Sequence, residues 1–115
     1  MAIPPHTHQA LANHFATLGT WITVFTAAGG TTGANEAILP QGRKQTVFPT
    51  ATLAIPSVAQ GSTVNIPVNS GTYTEGGIFS AASGGTFRGS EPFSDGVVMV
   101  SGSGASIDVT PVLKA

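Results

Sequence analysis

The acid–base and ligand chemistry of this chain rests on very few side chains. They are His6, His8 and His14, the carboxylates Glu36, Glu75, Glu91, Asp95 and Asp108, and the basic residues Arg43, Lys44, Arg88 and Lys114. His6 and His8 alternate in an extended stretch, so both can point to one side and approach a metal. His8 and His14 do not share a helical face. A protein metal site needs three or four ligands at once. The acids are scattered and form no His-Glu-x-x-His pattern, so no metal ligand is expected. The histidines read instead as part of a flexible tail, or of one that contacts a neighbouring chain, with a ring of histidines at a symmetry axis as the lesser alternative.

Covalent catalysis has no better footing. There is no cysteine and no Gly-x-Ser-x-Gly elbow to expose a serine. Ser101-Gly102-Ser103-Gly104 is a turn, with neither a phosphate-binding lysine nor a following helix. No catalytic residue and no cofactor are expected. Nucleic acid is excluded by the lack of a basic patch to meet phosphates. Of the basic residues only Arg43 and Lys44 are adjacent. In so uncharged a chain that pair is expected to meet Glu36 or a carboxylate on a partner. Arg88, with Glu91 and Asp95, forms a second charged patch. The candidate interface residues are therefore Pro4, Pro5, His6 and His8 in the tail, Asn35, Glu36, Arg43 and Lys44 in the middle, and Arg88 with Glu91.

The elements that position these residues follow from periodicity. Pro4-Pro5 favours extended geometry, so residues 1–7 are expected to be an extended tail that orders only on assembly. A helix is predicted over 8–18, capped by Thr7, with Leu11, Phe15 and Leu18 on one apolar face and Gly19 as its stop. Trp21 to Thr26 is aromatic and β-branched and reads as a buried strand. Further strands are predicted near Lys44, over 63–68, around Ile78 and Phe79, from Thr86, over 97–100 and over 107–110. Pro56 and Gly61 bracket a predicted loop, Gly89 to Gly96 another with Phe93 as its anchor, and residues 111–115 a terminal extension. Val64, Ile66, Val68, Ile107 and Val109 are assigned to the core. Six to eight short strands separated by glycine and proline turns predict an all-β domain. The expected form is a small antiparallel β-sandwich or jelly-roll-like domain over 8–115, with a short N-terminal helix.

Composition bears on the surface. Four basic and five acidic residues make 8% of the chain charged, against about a quarter in ordinary soluble domains. A surface of Thr, Ser, Ala and Gly is suited to close packing against other chains. The first nineteen residues lack a basic n-region and a continuous apolar core, so no signal peptide is expected. No run of apolar residues is long enough to span a bilayer, so no membrane partner is expected. Most aromatic residues lie inside strand-like alternation, which favours packing over a sugar-binding platform; Tyr73, between two threonines, is the one that can be exposed.

The stretch Trp21 to Gln45 resembles a family of small virion proteins of actinobacterial tailed phages, of the minor tail or tail-fibre-like kind. The resemblance lies in Thr32-Gly33-Ala34-Asn35-Glu36, then in Phe79-Ser80-Ala81 and Gly84-Gly85-Thr86-Phe87, and in the strand, turn and strand from Val97 to Val109. Where family members carry Gly-Gly-x-Tyr-x-Arg-Gln, this chain reads Leu39-Pro40-Gln41-Gly42-Arg43-Lys44-Gln45. A glycine and a basic residue are kept and the tyrosine is absent. The resemblance implies a structural β-domain located in the virion, assembled as a trimer or other symmetric homo-oligomer, with no catalytic residues. Its partners would be other virion proteins, either of the tail or, in a capsid decoration role, the major capsid protein. The competing class is a secreted adhesin or carbohydrate-binding module, which would be monomeric with an exposed aromatic patch.

Overall fold

The computed structural model describes all residues from Met1 to Ala115. The order of elements is α1 (Pro5–Leu18), β1 (Trp21–Phe25), β2 (Lys44–Gln45), β3 (Val58–Gln60), β4 (Val64–Pro67), β5 (Gly71–Tyr73), β6 (Glu75–Phe79), β7 (Phe87–Pro92), β8 (Val98–Val100), β9 (Ser106–Val109) and β10 (Val112–Lys114). The molecule is thus a mixed domain of one helix and several antiparallel strands. Four strands form the central sheet in the order β2-β1-β6-β7, and three two-stranded ribbons, β10-β3, β4-β9 and β5-β8, complete the set.

The helix begins three residues before the predicted start. Pro5 stands in its first turn rather than outside it. Proline is suited to that place, because the first helical N–H has no acceptor within the helix and φ is already near the helical value. The expected tail of 1–7 is therefore helical from residue 5. The buried face also differs from the expected one. Ala12 is fully buried and Phe15 and Ala16 pack on the core, whereas Leu11 is 52% exposed. Polar side chains set this rotation. Gln9 Nε2 donates to the Ala51 carbonyl at 2.9 Å, and Asn13 Oδ1 accepts from the Ala51 N–H at 2.7 Å.

The central sheet is covered on both faces, which explains why β1 is buried almost throughout. Antiparallel pairing puts Ile22 opposite Ile78 and Val24 opposite Gly76, and this face looks into the main core. That core adds Ile66 and Val68 from the β4 segment, Ile107 and Val109 from β9, Tyr73 from β5 and Leu113 from β10. The alternation of β4 and β9 places Val64, Ile66, Val68, Ile107 and Val109 as their spacing predicts. Tyr73 is 3% exposed, not a surface residue, and its hydroxyl donates to the Asn69 carbonyl at 2.5 Å. The opposite face carries Trp21, Thr23 and Phe25 beside Phe79, Gly77 and Glu75.

Two strands arise outside the predicted ones, and the strand expected from Thr86 extends into the expected loop. β3 lies between Pro56 and Gly61, β7 runs on through Pro92, and β10 occupies the terminal extension. β3 and β10 pair with each other, and beyond them Ser57 and Ala115 exchange backbone hydrogen bonds at 2.9 and 3.0 Å. β3 and β10, of three residues each, are too short to show a period of their own. The segment after β2 keeps the expected alternation, with Thr46 buried and Val47 exposed, but it leaves the sheet after Gln45.

Candidate interface

Two regions concentrate the polar and apolar features of the molecule. The first lies on the Phe25 side of the central sheet. Phe25, Phe79 and Phe87 form an aromatic trio, with ring centroids 6.3, 5.9 and 5.3 Å apart pairwise. Gly77 makes room for it, since a Cβ there would strike Cε1 of Phe25. The loop of residues 26–43 folds over the trio. Gly33, at φ +75°, lies so close that a Cβ would sit 2.8 Å from Cγ of Phe87. Asn35, also at positive φ, holds the loop by donating from Nδ2 to the Ala28 carbonyl at 3.0 Å. Glu75 Oε1 accepts from the Gly29 N–H at 3.1 Å and from Ser90 Oγ at 2.8 Å.

Arg43 locks this cover down. Its Nε and Nη2 donate to the two carboxylate oxygens of Glu36, each at 2.8 Å, in a bidentate fork. Nη1 donates to the Ala81 and Gly84 carbonyls, again at 2.8 Å, and Cζ lies 3.7 Å from the centroid of Phe79. The Arg43 side chain is 9% exposed and that of Glu36 24%. Burial alone would raise the Glu36 carboxyl. The hydrogen bonds from Arg43, a contribution from the Thr23 hydroxyl and the guanidinium charge outweigh it, and the pKa lies below the usual value. The Thr23 hydroxyl itself is fully buried without a hydrogen bond of good geometry.

The second region is a groove of about 630 Å³ on the main-core side. It runs between β7 with its following loop and the β9–β10 segment. Phe15, Ile22 and Ile78 form its floor, and Phe93 and Val112 its flanks. Glu91, Asp95, Asp108 and Lys114 are its charged residues. β7 ends the central sheet, and β9 and β10 each pair on one side only. No further backbone hydrogen bond reaches their outer edges. Unpaired edges of this kind are sites for pairing with another chain.

The expected interface residues divide between these settings. Arg43 meets Glu36, as the charge argument anticipated, and the pair with Asn35 serves the fold internally. Lys44 reaches only Gln41 Oε1, at 3.3 Å. Arg88 does not pair with Glu91 or Asp95: its Nε donates to the Leu18 carbonyl at 3.0 Å, supplying a cation to the C-terminal end of α1. His8 donates from Nδ1 to the Ala115 carbonyl at 3.0 Å. Pro4, Pro5 and His6 are exposed at the start of α1, and Glu91 lies in the groove. Asp95, expected in the Arg88 patch, lies in the groove, and sequence reasoning missed Asp108, Val112 and Lys114 as groove residues. Their one signal was the polar–apolar alternation of 106–114, which marks strands but not which edges stay open. No group of three or more His, Asp or Glu side chains converges to hold a metal ion, and no helix is long and apolar enough to cross a membrane. Compared with protein-family models, with curated proteins and with solved structures, the chain finds no match in any of the three.

Proposed function

We propose that this protein is a non-enzymatic structural subunit of a tailed-phage virion, most simply a minor tail or appendage component assembled as a symmetric homo-oligomer. The observation that carries the reading is a surface left incomplete by the single chain. Ten large apolar side chains are exposed, including Ile38 at 87%, Met99 at 81% and Val47 at 72%. Only 23 of 115 residues are buried. The accessible surface is 6394 Å², against about 5,800 Å² for a compact monomer of this mass. The radius of gyration is 14.6 Å, where about 13 Å is typical of this length.

Scarce charge in the sequence supports the same reading, since charged residues are depleted at the centres of protein interfaces. The order of motifs along the chain, from Thr32–Glu36 to Val97–Val109, supplies the virion assignment through the family resemblance. We further read the central sheet and the β4-β9 ribbon as two layers of a sandwich of jelly-roll-like kind. Ile22, Val24, Ile66 and Ile107 between them, and a Tyr73 corner of the sort common in such folds, support this.

Size-exclusion chromatography with light scattering tests the oligomer. A mass near three chains, or another closed multiple, is expected at micromolar concentration. A monomer at every concentration overturns the reading and returns the protein to the class of free binding modules. Electron microscopy of the native particle then assigns the location: copies on the tail support the appendage role, and copies on the shell replace it with capsid decoration.

A further inference from the structure

We infer that the groove beside β7 is a strand-accepting slot whose occupant is the N-terminal arm, Met1 to Pro4, of a second copy of this chain. The inference rests on the reading of the protein as an oligomer. The groove defines what fits it. β7, β9 and β10, whose residues line it, each pair on one side only and leave one backbone edge unpaired. Its floor is apolar, with Phe15, Ile22 and Ile78. Its charged residues are Glu91, Asp95 and Asp108 against Lys114 alone. An occupant must be extended, present apolar side chains at alternate residues, and carry no negative charge.

The arm meets each condition. Pro4 is extended, at φ −72° and ψ 161°. Met1 and Ile3, on one side of an extended strand, are 113% and 40% exposed. Met1, Ala2 and Ile3 enter no backbone hydrogen bond. Charge is complementary. No acidic residue precedes Glu36 in the sequence, none stands in the first turn of α1, and the helix start there carries the positive end of the backbone dipole. His6 is exposed beside it. Within its own copy the arm stands clear of the groove, to which residues 1–4 contribute nothing. Each copy then gives one arm and receives one, a head-to-tail contact that closes into a ring when the rotation permits.

The chain has no cysteine, so single-cysteine variants report the contact cleanly. Ile3→Cys chains mixed with Ser94→Cys or Val112→Cys chains under mild oxidation are expected to give the mixed disulfide dimer as the main product. Ile3→Cys paired with itself, or no cross-link, contradicts the inference. Ile3→Asp, and deletion of Ala2 and Ile3, are expected to keep the circular dichroism of the native chain and to weaken association at least tenfold by light scattering. If the native chain is monomeric throughout, the oligomer reading fails first. If the native chain is oligomeric and both arm variants keep its mass, this inference alone fails.

Discussion

The two faces of the central sheet solve the same problem in opposite ways. On the Phe25 side, the chain covers its own apolar surface: the loop of 26–43 lies over the aromatic trio and Arg43 ties it to Glu36, Ala81 and Gly84. On the Ile22 side, the core is filled by β4, β9 and α1, yet its wall stays open between β7 and the β9–β10 segment. One face spends its scarce charges on internal closure, and the other leaves its carboxylates beside unpaired edges. In a chain with so few charges, the position of each therefore separates folding from assembly. Arg43 and Glu36 belong to folding, and Glu91, Asp95 and Asp108, which line the open groove, are the charges that the proposed assembly would use.

Substitutions sharpen this contrast, beginning with the closed face. Phe25→Ala removes the ring that touches both other aromatics and is expected to destabilise by about 3–5 kcal/mol, read as a lower denaturation midpoint. Arg43→Ala leaves Glu36 without its partner and two carbonyls unbonded, for an expected loss of roughly 3 kcal/mol. Arg43→Lys should recover little of it, since an ammonium cannot form the fork. A loss below 1 kcal/mol for Arg43→Ala would place this pair with ordinary surface ion pairs and dissolve the contrast.

Acid titration probes the same clamp. Glu36 has a folded pKa below its unfolded value. The unfolded chain therefore takes up the proton first as pH falls, and stability held above the usual carboxylate range is lost on descending through and below it. Glu36→Gln should start less stable at neutral pH and show a flatter decline in midpoint between about pH 5 and 2. An unchanged slope would mean the clamp carries no linkage. Thr23→Val replaces an unbonded buried hydroxyl by a methyl and should fall within about 1 kcal/mol of the native chain. A larger loss would show that the hydroxyl bonds Glu36 after all. The smallest effect is expected at Leu11, half exposed on α1. Leu11→Ser should change stability by no more than about 0.5 kcal/mol.

How far the sequence disclosed this arrangement depended on the length of each element. β1, β4 and β9 were legible because five or four residues suffice to show β-branched runs or strict alternation. The pairing of Arg43 with Glu36 was legible because the chain offers so few alternatives. The start of α1 was not, because Pro4-Pro5 reads equally as extended chain or as a helix opening, and only the packing of Ala12 and the Ala51 bonds decide. Leu11 was misplaced because its spacing with Phe15 and Leu18 outweighed the polar anchors Gln9 and Asn13, whose partner lies thirty-eight or more residues away. β3 and β10 were invisible singly, since each becomes a strand only by pairing with the other. The groove could not be foreseen at all, because an open edge is a property of topology.

The contrast between the closed and open faces is tested most directly by hydrogen exchange on dilute and concentrated protein. Protection is expected to rise on assembly at residues 1–4, 87–95 and 106–114, while residues 26–43 keep the protection they already have as single chains. Protection gained over 26–43 with none along β7, β9 and β10 would contradict the account.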